Sequence, residues 1–375
     1  MELSPSPASP GEAPNVGCRA SPRVDVPRRR VRDEKLGASR RRCAVPRPYL
    51  PVRHGSRCRG SRSAGTRHVD CIFRTSRVEG RRRALASLKK ILVATDFSSG
   101  AEQAAEVAIA WAERLGAELH WVHGVEHLPA STPPSAAPLI ASYVERARQQ
   151  GRDSLAAAVE RARARGLSSE MHMVDAPAAG GVVGLAKELA ADCVIVGSRG
   201  HSALQQLVLG SVAERIVRDA PCRVLVVRGK HHPAEPGTIV FGDDLSELSL
   251  AARGDAFDLA HVLGARLDVV HAPDLGIPYF SSMALALPSR LFDELRTESA
   301  EQIDAFAADA PGDVEISKVI AHDKPAHAIC ERVKQVDAGL AIVGTRSLTD
   351  LERVLLGSVA DRVVRHATCS VLVVR

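Results

Sequence analysis

Aromatic side chains supply only 3% of this 375-residue chain, so its cores must be built from Val, Leu, Ile and Ala rather than from stacked rings. No apolar run reaches the roughly 18 to 20 residues that span a bilayer, and the N-terminal stretch has no apolar segment of the signal-peptide kind. The expected setting is therefore the cytoplasm. No G-x-x-x-x-G-K-(S/T) loop is present, which removes the commonest lysine-based arrangement for phosphoryl transfer. The 8 cysteines form no close pair. Cys193, Cys222, Cys330 and Cys369 sit in or beside apolar runs and read as small buried hydrophobes of a reducing compartment. Cys43, His54, Cys58 and His68 fit no compact zinc knuckle, and no metal ligand set is predicted.

Hydrophobic residues at 45% and charged residues at 25% suit two core-bearing domains with extra sequence. The net charge of +6 is unevenly placed. The first 87 residues hold about 21 Lys/Arg against about 7 Asp/Glu, which leaves the rest mildly acidic. Residues 1–87 are rich in Pro, Ser, Gly and Arg without sustained periodicity, and read as a disordered basic leader. Two readings of it stand: a polybasic tail that touches nucleic acid or anionic lipid, or upstream sequence translated from a misplaced start. The abrupt change at residue 88 favours the second. Nothing beyond it resembles a basic face with interleaved aromatics, so the charge is no nucleic-acid footprint of the domains.

What the chain does contain, twice, is a glycine-marked turn after an apolar strand. Gly197-Ser198-Arg199-Gly200 follows Cys193-Val194-Ile195-Val196, and nine residues later Gly210-Ser211-Val212 opens an amphipathic helix. Gly344-Thr345-Arg346-Ser347 follows Leu340-Ala341-Ile342-Val343, and nine residues later comes Gly357-Ser358-Val359. Glycines let a backbone approach an anion without a Cβ in the way, and free amides at a helix start point at the charge. The two motifs lie 147 residues apart. Ala94-Thr95-Asp96-Phe97-Ser98 is answered by Gly242-Asp243-Asp244-Leu245-Ser246, and Val224-Leu225-Val226-Val227-Arg228 by Val371-Leu372-Val373-Val374-Arg375. Whole domains are thus repeated.

The rhythm between these marks is strand, helix, strand, helix. Strands are expected over 90–95, 118–125, 170–174, 192–196 and 222–227, with helices over 100–115, 139–165, 178–190 and 211–219; 229–236 reads as a linker, and the pattern then repeats. The fold class is α/β: two tandem five-stranded parallel-sheet sandwiches with helices on both faces, one over 88–229 and one over 237–375. Ligands in such sheets gather at the carboxyl ends of the strands, where strand order reverses. Asp96 and the glycine turn both fall on that edge.

These motifs, in this order and spacing, resemble the universal stress protein family in its tandem form and its ATP-binding branch, over residues 88 to 375. The resemblance implies an ATP site, with Mg2+, that regulates partner choice under stress with little or no catalysis. Ala94, Thr95, Asp96 and Gly124 would hold the adenine-ribose end, with Gly197, Arg199, Gly200, Gly210, Ser211 and Val212 around the phosphates. A weaker second site would use Asp244, Gly344, Arg346, Gly357, Ser358 and Val359. In that copy Ser347 replaces a motif glycine, and Asp243 adds a carboxylate that repels a triphosphate unless a cation intervenes. Plainer roles compete: a helix cap for Asp96 or Ser211, a solvated charge for Arg199, a tight turn for the glycines. No catalytic residue is assigned. A slow ATPase or nucleotidyl-transfer enzyme is the rival reading, with His201 its one candidate base. The resemblance further implies an intramolecular pseudo-dimer through the last strand of each domain, leaving room for a homodimer and for a protein partner not named by the sequence. The basic leader would be the route to any nucleic acid or membrane contact.

Overall fold

The structure is a computed structural model, and it describes residues 88–125, 133, 135–198, 209–230, 232–273, 289–308, 310–345 and 356–375. The leader, Arg199, Gly200, His201, Arg346 and Ser347 lie outside the described residues.

The first half runs β1 (Lys90–Ala94), α1 (Ser99–Leu115), β2 (Glu118–Gly124), α2 (Ala137–Arg163), β3 (Ser169–Val174), α3 (Ala178–Glu188), β4 (Cys193–Gly197), α4 (Ser211–Asp219) and β5 (Arg223–Val227). The second repeats it as β6 (Thr238–Gly242), α5 (Leu250–Leu263), β7 (Arg266–His271), α6 (Ser289–Ala307), β8 (Ile316–Ile320), α7 (Pro325–Gln335), β9 (Leu340–Gly344), α8 (Ser358–His366) and β10 (Ser370–Val374). A short 3-10 turn, Glu247–Ser249, leads into α5. Local chemistry sets the helix bounds. Ser98 caps α1 by accepting from the Ala101 amide at 3.3 Å, and Gly116 ends it at φ 66°, where a side chain would strain the backbone.

The two expected five-stranded sheets join through their last strands. Among the described residues, ten strands run in the order β3-β2-β1-β4-β5-β10-β9-β6-β7-β8. Neighbours within each half are parallel, while β5 and β10 pair antiparallel, with Leu225 opposite Leu372. The reason is an edge problem. Val224 to Val227 and Val371 to Val374 are continuous apolar runs, and left as free edges they would template uncontrolled pairing. Zipped together they are buried at 4% exposure or less. The outer edges, β3 and β8, are instead partly exposed and carry polar residues, as edge strands must.

Alternation along the strands feeds a separate core on each face. Ile91, Val93, Leu119 and Trp121 pack with α1 and α2, and that layer continues through Ile239, Phe241 and α5. Leu92, Val122, Val194 and Val226 pack with α3 and α4, continuing through Val240, Val371, α7 and α8. Both layers cross the junction.

Matched arginines brace it. Arg375 reaches across to the carbonyls of Val217 and Arg218 at the end of α4, the latter at 2.7 Å. Arg228 reaches the carbonyls of Arg365 and Ala367 at the end of α8, at 3.5 and 3.4 Å. A cation at the carbonyl end of a helix meets its partial negative charge. Arg365 adds a 2.7 Å contact to Glu214, and Arg223 forks onto the buried Asp255.

Candidate functional site

Strand order reverses between β1 and β4, and again between β6 and β9. Ala94 is level with Val196 across that gap, so Thr95 and Asp96 leave the sheet beside Gly197. In the second half Gly242 is level with Val343, which brings Asp243 and Asp244 out beside Gly344. The two rims match.

Each first strand ends in the same tight turn. The Thr95 hydroxyl oxygen accepts from the Phe97 amide and an Asp96 carboxylate oxygen from the Ser98 amide, both at 3.0 Å. Asp243 and Asp244 accept from the amides of Leu245 and Ser246 at 2.8 and 3.0 Å. Between them Phe97 and Leu245 are held at φ 61° and 59°, a left-handed conformation that costs a bulky residue about 1 to 2 kcal/mol. The turns are pinned from the second strand. His123 Nδ1 lies 2.9 Å from the Thr95 carbonyl, and His271 Nδ1 lies 2.8 Å from that of Asp243. A carbonyl only accepts, so each ring carries its proton on Nδ1. The phenyl ring of Phe97 packs on His123, with centroids 4.7 Å apart.

The opposite wall is a helix start. A bond of 2.9 Å from the Gly210 amide to the Ser198 carbonyl closes the glycine loop and brings α4 back to the end of β4. Gly210 and Gly357 are the caps of α4 and α8, and neither helix has a side-chain cap. The first intrahelical bonds among the described residues come from Glu214 and Asp361, so within each helix the amides of Ser211 and Val212, and of Ser358 and Val359, are left over at its start. Ser211 is thus the first helical residue rather than the cap. In the second half these parts enclose a cavity of about 440 Å³, walled by Asp244, His271, Ile329, Gly344, Gly357 and Val359.

Three features alter the sequence reading. Asp243 is no repulsive charge: its side chain is 0% exposed and forks onto Arg253 at 2.8 Å and 3.2 Å, with the Ser249 hydroxyl donating at 2.7 Å. The intervening cation is built in, and Arg253 itself lies 4.1 Å over the Phe306 ring. Gly197 is needed for packing, since a Cβ there would stand 2.6 Å from the Gly100 carbonyl oxygen. Gly124 is likewise a close approach, with Ala178 Cα 3.0 Å from where its Cβ would be. Asp96 does not cap α1; Ser98 does. His123, His271 and Arg253 were missed, although a histidine at the same place in both copies was a usable signal.

Two doubly wound half-sheets, each with an acid-bearing turn facing an open helix start, define an internally duplicated open-sheet α/β protein. The chain belongs to the universal stress protein family, whose model matches residues 87–228 and 236–375, so the family unit occurs twice in tandem. It is 32% identical over 197 residues to a universal stress protein of Mycobacterium tuberculosis strain H37Rv, a match that spans 49% of this chain and 62% of that relative. It is 27% identical over 299 residues to one of Mycolicibacterium smegmatis, spanning 76% of this chain and 96% of the relative. A crystal structure of a universal stress protein from Archaeoglobus fulgidus shares the fold, with a TM-score of 0.57 at 19% identity over 77% of this chain and 99% of that one. Among the described residues no helix is long and apolar enough to cross a membrane.

Proposed function

We propose that the chain is an ATP-binding regulator or adaptor of the stress response, with little or no catalysis, holding Mg2+-bound nucleotide at the carboxyl rim of each half. One observation carries this reading: the same acid-bearing turn faces the same uncapped helix start on both rims. In this assignment Asp96 receives the ribose and the amides of Ser211 and Val212 receive the phosphates. Asp244, Ser358 and Val359 form the weaker counterpart in the second half. Family membership supports the stress role.

The test begins with mass spectrometry of nucleotide retained by the native protein. ATP with Mg2+ is then titrated into the wild type, Gly210→Val and Gly357→Val. Gly210 sits at φ −67°, ψ 146°, a conformation valine adopts freely. A loss of affinity therefore reports on the path of the phosphates, not on backbone strain. Gly210→Val should weaken ATP at least about tenfold and more than Gly357→Val does; one branched side chain in a tight site is worth about that much. Equal affinity in all three proteins would refute the assignment.

A further inference from the structure

On the face of the sheet covered by α3, away from the rim, β2 and the edge strand β3 bring His120, Glu170 and His172 together. Residue 120 is level with Glu170, and Val122 with His172. His120 is 5% exposed. Its Nδ1 lies 3.1 Å from His172 Nε2 and 3.7 Å from a Glu170 carboxylate oxygen, and the three donor atoms lie within 4.8 Å of one another. Its Nε2 is buried without a hydrogen-bond partner and faces a Glu118 carboxylate oxygen at 3.7 Å. Glu188, at the end of α3, also acts on His172.

The second half shows what this place requires. There Asp268 stands where His120 stands, Arg266 where Glu118 stands, and Ser317 and Val319 are level as Glu170 and His172 are. Asp268 is 0% exposed and is gripped by Arg266 at 3.0 Å and Arg332 at 2.6 Å. Its buried charge is matched by fixed cations. In the first half, among the described residues, no arginine or lysine pairs with Glu118, Glu170 or Glu188. Two imidazoles and a ring of carboxylates remain, and a cation would complete them.

We propose that His120, His172 and Glu170 form a binding site for a zinc-class divalent ion, with a further position open to solvent. Zn–N bonds of about 2.0 to 2.1 Å put two ligand nitrogens about 2.9 Å apart at a right angle and about 3.3 Å apart in a tetrahedron. The observed separation of 3.1 Å falls between. A two-histidine, one-carboxylate donor set suits Zn2+ and its transition-metal neighbours, not the oxygen-loving Mg2+ or Ca2+. Glu118 is placed to accept the Nε2 proton of a metal-bound His120, the outer contact that orients such a ligand. The ion would fasten β3 to β2, the only strand it pairs with among the described residues.

The experiment is a ZnCl2 titration of the chelator-stripped full chain, by calorimetry and by metal content after dialysis, beside His172→Ala and Glu170→Gln. Both substitutions fall on the edge strand, and the Glu170 side chain is 66% exposed, so Glu170→Gln keeps the test valid even if His172→Ala folds poorly. Wild type should retain one equivalent more than His172→Ala, and Glu170→Gln should weaken that equivalent more than tenfold. A tenfold excess of Mg2+ should not displace it. Zinc held by other groups, the leader cysteines included, is common to all three proteins and cancels. Identical stoichiometry and affinity in the three, or no uptake by the wild type, overturns the proposal.

Discussion

The buried pair of Asp243 and Arg253 invites a direct test, because the first half dispenses with it. The 148-residue offset sets Asp243 against Thr95 and Arg253 against Ala105, so each substitution can borrow the residue its own fold already accepts. In Arg253→Ala the Asp243 carboxylate stays buried and loses both contacts to the guanidinium, as well as the cation over Phe306. Breaking a buried pair from one side costs about 3 to 5 kcal/mol. The Leu245 amide and the Ser249 hydroxyl still donate to that carboxylate, which places the expected loss at the lower end, about 3 kcal/mol, or about 6 to 12 °C in melting temperature. Asp243→Thr leaves a guanidinium in an 11% exposed side chain with no carboxylate and should cost a similar amount. The double variant rebuilds the first-half solution. It should therefore be less destabilised than the sum of the two, by at least about 2 kcal/mol, because residues in contact are coupled. Urea unfolding followed by circular dichroism measures all four corners of this cycle. Additivity within about 0.5 kcal/mol would show that the pair is not what holds the turn, and would refute the reasoning.

Gly124→Val should destabilise the protein by about 1 to 3 kcal/mol in the same unfolding assay, since its Cβ would press on the Ala178 backbone. Arg375→Ala should loosen the junction by about 1.5 to 3 kcal/mol, the worth of a charged hydrogen bond, visible as faster amide exchange in β5 and β10 with β1 to β3 unchanged. Burial pushes the thiols of Cys222 and Cys369 up to about 12 and raises Cys193 further. At pH 8 they remain protonated, so mass-mapped alkylation should leave all three unmodified until denaturant is added. ATP turnover should be at background in the wild type and unaltered in His201→Ala; steady hydrolysis abolished by that substitution would favour an enzyme.

The strands were legible in the sequence because a parallel strand buried on both faces is written as a continuous apolar run, as in Cys193 to Val196 and Leu340 to Val343. The junction was legible for the same reason, since two apolar last strands need each other. The rim was legible where its parts are contiguous: Asp96 beside its turn, Gly210 opening its helix. Partners that meet only through the fold were not. Asp243 looked like a lone repulsive charge because Arg253 answers it from a helix ten residues on. His120 and His172 lie 52 residues apart on neighbouring strands, with no spacing that announces them. That the missing side chains of Gly124 and Gly197 also seat α3 and α1 shows only once the helices are packed.

The antiparallel pairing at the centre of the sheet has a consequence for how the protein is made. β5 is complete at Val227, yet its partner β10 begins 143 residues later. At about 5 to 20 residues per second a ribosome needs about 7 to 30 s to supply it. Throughout that interval the nascent first half displays a bare Val-Leu-Val-Val border, and the nearest matching border on a crowded polysome belongs to another copy of the same message. Slowed translation of the second half should therefore yield chain-swapped sheets in place of sheets closed within one chain.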